Sequence, residues 1–424
     1  MSKSKIFRPA RSLSAKGRKT REALLQASQE VFCAQGYFEA SVSEITRSLK
    51  VSQGTFYQYF SGKDQVLMEL TDRTINTFWD EARKLDSRGL DLRGRLSQVI
   101  ELLYDHSQIH YPFHRMLGEL ELIDPVTIAY FDSIARFYRG FIREQAAEGL
   151  IRPLDPNLFA YGLMGIVHFS LPDWGPELSR LDKKSQIRLT VDLLRHGING
   201  PRPYSPPPKK RDSKSQNQNN PAQKNELHHT QGQRTRKAIF AAAERIFGRM
   251  GYNRASIADI TREAGVAQGT FYVHFSSKLK LLEGVLEYLG RLLRTALSQV
   301  TKPHGDLRNA EREGMMAFYN FIREHRELYR VVAECEAIAP KAAQLYYTRL
   351  AKGYKKNLTL GMEKNELKNI PISFLVRSLM GFNHMIGLKW LIWNSSPFAE
   401  VPLQLAEEAS ELVIFGLDPS PTDS

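Results

Sequence analysis

One feature limits what this chain can fold into more than any other: the segment 20–67 recurs as 235–282, 215 residues later and without a gap. Of the 48 aligned positions, 22 are identical. The best-kept stretch is Val51-Ser52-Gln53-Gly54-Thr55-Phe56-Tyr57-Gln58-Tyr59-Phe60 against Val266-Ala267-Gln268-Gly269-Thr270-Phe271-Tyr272-Val273-His274-Phe275. Solenoid units recur every ~20–50 residues, so a period this long marks a duplicated domain. Whatever this segment does, the chain does it twice.

With 424 residues the chain exceeds one ordinary core, and two to four domains are expected. Its 42% hydrophobic and 25% charged residues suit a soluble globular protein. The net charge of +13 is uneven. Residues 1–65 hold 11 Lys/Arg against 5 acids and residues 202–237 hold 9 against 2, so the remainder sums to zero. Positive charge thus gathers at the start of each copy, where a polyanion would be held. Taken alone, such stretches also read as solvated, disordered tails. Cys33 and Cys335 fall at non-equivalent places in the two copies, which suggests neither a disulfide framework nor a metal knuckle and suits a reducing cytoplasm. The basic start lacks the apolar run of a signal peptide. The most apolar stretches, 158–171 and 371–393, are short or broken by Arg377, His384 and Lys389. A membrane span needs about 18 apolar residues, so buried helices are expected there.

A helical period starts at Arg18, with Ala23, Leu24, Ala27, Val31 and Phe32 on one face, and stops at Gly36. Ser41-Val42-Ser43-Glu44 is a capping box that opens a short second helix carrying Ile45 and Leu49. Ser52 can cap a third helix, and Ser61 with Asp64 a fourth running through Leu67, Leu70 and Trp79. In the second copy Gly251 ends helix one, Ser256 caps helix two and Ser276 caps helix four. No segment alternates with period two over a strand's length, so the expected fold is all-α. The expected organisation is a basic arm (1–17), a head (18–64), a helical body (65–199), a Pro-rich basic linker (200–230), a second head (231–279), a second body (280–417) and a tail (418–424). About thirty flexible linker residues would span roughly 30 Å.

Two short helices joined by a tight turn, the second polar on its outer side, form a helix-turn-helix. Here the turn is Lys50-Val51-Ser52 and the reading helix about 53–60. Phe56 and Phe60 stand four apart and should face the core with Ile45 and Val51, as should Phe271 and Phe275 in the second copy. That leaves Gln53, Thr55, Tyr57 and Tyr59 outward or at the edge. Gln can bond adenine bidentately, Thr can touch a base edge or a thymine methyl, and Tyr hydroxyls can bond phosphate; for Tyr57 and Tyr272 core packing is the other reading. Gly54 permits close approach of a helix N-terminus, which itself favours phosphate. Lys63 opens the next helix, where an ammonium group would meet a phosphate. The candidate DNA contacts are Ser41, Ser43, Lys50, Ser52, Gln53, Gly54, Thr55, Tyr57, Tyr59 and Lys63 in copy one. In copy two they are Ser256, Gln268, Gly269, Thr270, Tyr272, His274 and Lys278.

These motifs, together with Ser41-x-x-Glu44-Ile45, Ser61-x-Lys63 and their counterparts Ser256-Ile257-Ala258-Asp259-Ile260 and Gly265-Val266, resemble the TetR family of transcriptional regulators. The resemblance covers about 48 residues in each copy. It implies an all-helical DNA-binding head on a helical ligand-binding and dimerising body, usually repressing until a small molecule binds. One departure concerns the helix-two turn, where the family usually has Gly: copy two keeps Gly265, but copy one has Lys50. A positive φ there would cost Lys about 1–2 kcal/mol, which a reach to phosphate would offset.

The bodies are duplicated as well. His110 matches His325, Glu119 matches Glu334 and Pro125 matches Pro340; after one inserted residue His168 matches His384 and Trp174 matches Trp390. Gly162 and Gly165, with Gly381 and Gly387, permit the close helix approach of a dimerising bundle. The candidate effector contacts are therefore His110, Glu119, His168, Trp174, His325, Glu334, His384 and Trp390. For His168 and His384, a satisfied core histidine is the competing reading. Trp79, Tyr104, Tyr130, Phe131, Phe137 and Tyr138 either line an apolar pocket or fill a core. His106, His110 and His114 share a four-residue spacing, but Pro112 should break the face and copy two has Phe321 and Tyr329 at the outer positions, so no metal is expected. No nucleophile–base pair, phosphate loop or paired catalytic carboxylates stand out, and no cofactor or enzymatic role is expected. The expected partners are double-stranded DNA and a small-molecule effector. The two halves pair either within one chain as a pseudo-dimer or between chains as a homodimer. A nonspecific DNA-coating protein and a regulator governed by protein partners are the other readings.

Overall fold

The computed structural model describes residues 14–120, 125–171, 181–204, 230–301, 305–394, 396 and 398–419, without the side chains of Glu119 and Ala333. Most of the expected arm, most of the linker, residues 420–424 and the candidate Trp174 therefore lie outside the described residues. Among those described, the only strand-like pairing is a single antiparallel bridge, Asn199 to Leu367, and the fold is all-α.

The first unit comprises α1 (Ala15–Gln35), α2 (Val42–Ser48), α3 (Gln53–Tyr59), α4 (Lys63–Ala82), α5 (Leu92–Ile109), α6 (Tyr111–Glu119), α7 (Pro125–Ala147), α8 (Pro156–His168) and α9 (Lys183–His196). The second repeats the order with α10 (Gln231–Arg254), α11 (Ile257–Ala264), α12 (Gln268–His274), α13 (Lys278–Thr301), α14 (Leu307–Glu324), α15 (Arg326–Ile338), α16 (Pro340–Glu363), α17 (Ile372–Gly387) and α18 (Leu403–Phe415). A π-helical turn, Leu388–Ile392, extends α17. Helix α10 breaks from helical φ/ψ at Gly251, where the period was expected to end. The expected cap at Ser276 falls one residue on, since Ser277 Oγ accepts from the Lys280 amide at 3.1 Å. Ser61 does not cap α4; its amide and hydroxyl both bond Gln65 Oε1.

The two bodies pack on each other through α8 and α17, which are apolar almost all round and therefore buried. At their crossing a Cβ on Gly165 would collide with the carbonyl of Gly381, and one on Gly381 with the carbonyl of Gly165. Only two glycines allow the backbones this close. The ends of α9 and α18 exchange bonds reciprocally: the Ile198 amide donates to Val413 O (3.0 Å), while the Leu417 amide donates to Leu194 O (2.8 Å). Likewise Asn199 donates to Ile414 O at 2.8 Å and Asp418 to Arg195 O at 3.0 Å. A bond from i to j matched by its counterpart from j to i is the mark of a twofold interface; here both sides belong to one chain.

The expected linker begins later than residue 200. Gly200 and Arg202 donate to Glu366 O and Asn365 O, both at 2.9 Å, and Tyr204 donates to Asn309 at 2.8 Å. Buried Arg308 donates to Asn199, to the Arg202 and Pro203 carbonyls and to Asp306. At the other end Asp418 is not tail but pairs with Arg195 at 2.7 Å.

Candidate nucleic-acid interface and effector cavity

Each head is a three-helix unit whose reading helix is pinned from beneath. Phe56, Phe60, Phe271 and Phe275 are buried, as is Ile45, whereas Val51 is half-buried. Arg21 stacks over Phe60 and pairs with Glu69 of α4; its counterpart Arg236 stacks likewise over Phe275 and also over Phe240. Gln53, Gly54, Tyr57, Gln268, Gly269 and Tyr272 are exposed together on the outer side, and Thr55, Tyr59, Thr270 and His274 lie at its edge. Tyr57 and Tyr272 each expose more than half their surface, which removes the core reading for both. A Cβ on Gly269 would meet nothing within 4 Å and one on Gly54 only Ser52 Oγ at 3.6 Å, so neither glycine is demanded by the fold itself.

The serines are occupied locally. Ser41 and Ser256 each form a full capping box, with Glu44 and Asp259, and Ser43 Oγ lies 3.5 Å from Arg47. Ser52 accepts from the Thr55 amide at 3.2 Å, while Ala267 leaves the second reading helix without a side-chain cap. Lys63 and Lys278 differ from their expected phosphate role. Lys63 Nζ donates to the carbonyls of Tyr37 (2.8 Å) and Ala40 (2.6 Å) and sits over the Tyr37 ring. Lys278 repeats this on Tyr252 and Ala255, both at 2.8 Å. Both ammonium groups clamp the loop after the first helix, and burial lowers their pKa. The turn bears out the positive φ: Lys50 stands at 56° and Gly265 at 66°.

In the second body a cavity of about 900 Å³ lies among α13, α14, α16 and α17. Met315, Phe318, Leu350 and Leu379 give it an apolar wall. Of its polar groups, Glu311 accepts from Tyr354, Asn383 accepts from Tyr319 behind the wall at 2.7 Å, and Tyr329 bonds His384 Nδ1 at 2.7 Å, while the buried Tyr346 hydroxyl has no partner among the described residues. Burial pushes the Glu311 carboxyl up to about 7 and the His384 imidazole down to about 4. Exposed Arg291 and Lys356 stand at the mouth, with half-buried Arg294.

Of the six expected effector contacts whose side chains are described, only His384 lines this cavity. His168 reaches across the interface to Glu336 at 3.2 Å, and Trp390 packs edge-on to Tyr161 of the other body. His325 stacks on Phe321 near Glu244. Glu334 is buried against the second head, accepts the Tyr252 amide at 2.9 Å and is raised to about 7 by burial. His110 packs on His106, and His106 and His114 both bond the Tyr130 hydroxyl, His106 at 2.8 Å. Pro112 does not break that face, because it sits in the first turn of α6, where a missing N–H is harmless, and His114 bonds back to His110 O at 2.9 Å. Burial holds His106 at about 3. Among the described residues no three His, Cys, Asp or Glu are placed to hold a metal ion, and no helix is long and apolar enough to cross a membrane. Sequence reasoning missed Glu311, Tyr319, Tyr354 and Asn383, for which the signal was polar residues at buried helical positions.

A family model described as bacterial regulatory proteins, tetR family, matches residues 24–70 and again residues 239–285. The HTH-type transcriptional activator FasR of Mycolicibacterium smegmatis is 33% identical over 99 residues, 23% of this chain and 45% of that protein. The HTH-type transcriptional regulator YvdT of Bacillus subtilis is 44% identical over 69 residues, 16% of this chain and 34% of that protein. The chain spans less than half the length of these relatives. Among solved structures, FadR of Bacillus subtilis in complex with stearoyl-CoA aligns at 17% identity and a TM-score of 0.39, covering 42% of this chain and 97% of that one. With the tetR-family model matched in both halves of an all-helical chain, the protein carries two TetR-type N-terminal domains in tandem.

Proposed function

We propose that the chain is a cytoplasmic, sequence-specific transcriptional regulator that reads an imperfect inverted repeat with two heads from one polypeptide. The observation that carries this reading is the reciprocal crossing of Gly165 and Gly381, which joins two head-bearing bodies as a dimer's interface would. In each head the exposed Gln of the reading helix is the base-reading group, Gln53 in one half-site and Gln268 in the other. Thr55, Tyr57, Thr270 and Tyr272 border it, and Lys50 adds a phosphate contact to the first head. The half-sites should differ where the heads do, at Ser52/Ala267, Gln58/Val273 and Tyr59/His274. An effector entering the second body's cavity would release the DNA, which makes the protein a repressor.

Selection of duplexes from a random pool tests this. The expected product is an inverted repeat with unequal arms; a protein that merely coats DNA would enrich no sequence. Changing Gln53 to Ala should cost about 1–3 kcal/mol and relax one arm only. Equal weakening on every duplex would remove the base-reading role.

A further inference from the structure

The two bodies are equivalent in helix order but not in what fills them. At the 215-residue offset Phe78, Trp79 and Val99 of the first body become Leu293, Arg294 and Gly314 of the second. Past the one-residue insertion, where Gly149 and Asn365 hold matching positive φ after α7 and α16, Phe137 becomes Gly353 and Tyr138 becomes Tyr354. In the first body the four rings form one packed group: Phe78 lies 5.7 Å from Phe137, Phe137 5.0 Å from Tyr138, and Trp79 6.1 Å from Phe137. Tyr138 crosses from α7 to α5 and donates to the Val99 carbonyl at 2.9 Å, whereas its counterpart Tyr354 donates to Glu311 of α14. The second body keeps this tyrosine but lacks the rings of Phe78, Trp79 and Phe137 and the side chain of Val99, and its cavity is bordered by Gly314, Leu293, Arg294 and Gly353. A Cβ on Gly353 would meet nothing within 4 Å, and one on Gly314 only Thr301 Cγ2 at 3.4 Å. Interiors normally pack to crystal density. Here a duplicated core is filled in one copy and hollowed in the other by loss of side chains at matching positions.

We infer that the chain carries a single effector site, in the second body, and that the first body is a permanently filled subunit. The site takes a mainly apolar molecule with an anionic end. Its apolar part lies along Met315, Phe318, Leu350 and Leu379, and its anionic end meets Arg291, Arg294 and Lys356. Glu311 is the sole carboxyl among the lining residues and is bonded by Tyr354, so the lining offers no strong opposing charge. The first head then hears the effector only across the interface, where cavity-lining Tyr347 donates to Glu336 at 2.8 Å and Glu336 meets His168 of the first body. This rests on the reading of the chain as an effector-controlled DNA-binding protein.

The test uses the full chain and 8-anilinonaphthalene-1-sulfonate, a fluorescent apolar anion, titrated by calorimetry and fluorescence. One probe molecule should bind per chain. Gly353→Phe, which restores the ring that Phe137 supplies in the first body, should weaken binding at least tenfold, and Gly314→Val should do the same with a smaller side chain if the phenylalanine variant fails to fold. Tyr138→Phe, which removes only a hydroxyl from the filled body, should leave binding unchanged. Two equivalent probes per chain, no binding by the wild-type chain, or wild-type binding in a folded Gly353→Phe or Gly314→Val protein would each overturn the inference. Duplex selection without probe is read separately, so loss of the regulator reading and loss of the single site give different results.

Discussion

Two residues carry energies that their surroundings do not favour. Lys50 holds φ at 56°, a conformation that costs a side chain with a Cβ about 1–2 kcal/mol and that Gly265 adopts freely in the other head. Lys50→Gly should therefore raise the first head's stability by ~1 kcal/mol in denaturant titration while lowering the salt slope of DNA binding by about one. Unchanged stability would mean that the turn carries no strain. Glu311 is the second case. Burial raises its carboxyl to about 7, against 4.5 for the free group, so the folded chain holds the proton more tightly than the unfolded one. Its stability contribution is complete below about 4.5 and is lost as pH rises through 7. Glu311→Gln keeps a partner for Tyr354 without the charge. Its melting temperature should therefore exceed that of the wild type more at pH 8 than at pH 5.5, by an amount worth ~1–3 kcal/mol. His384, lowered to about 4 by burial, acts in the opposite sense and loses stability as pH falls below 6.5, which is why the comparison is made between variant and wild type.

At the scale of elements, α8 and α17 decide whether the two halves are one body. Gly165→Val would place a branched side chain against the Gly381 carbonyl, and no rotamer relieves a clash at Cβ. The helices must separate, at a cost of about 1–3 kcal/mol or more, read as a lower denaturant midpoint with both heads still helical. An unchanged midpoint would show that the crossing is slack. The heads were legible in the sequence for a physical reason: caps, turn residues and the four-residue spacing of Phe56 and Phe60 are local rules, and local rules print themselves on a chain. The cavity was not legible. It is made by side chains that are missing, and a glycine at 314 or 353 means nothing until set against Val99 and Phe137. The aromatic residues that suggested a pocket in the first body are the ones that fill it. His168, Trp390 and Glu334 stood out because they are polar or aromatic in apolar helices, and the structure spends them on the interface between the bodies and on the second head.

Across the whole molecule, duplication has made an interface internal. In a dimer of separate subunits the halves are identical by necessity; fused, they were free to diverge into a strained and a relaxed turn, a capped and an uncapped reading helix, a filled and a hollow body. Tethering also keeps the partner near at about millimolar effective concentration, so pairing does not depend on how much protein is present. The described strap from Ile198 to Tyr204 binds body to body before the linker proper begins, with buried Arg308 as its anchor. The most direct measurement is sedimentation of the chain alone and on a selected duplex bearing both half-sites, at micromolar concentration. A single-chain mass when free, and one chain per duplex when bound, is the predicted result. A dimeric mass in solution, or two chains on one inverted repeat, would contradict it.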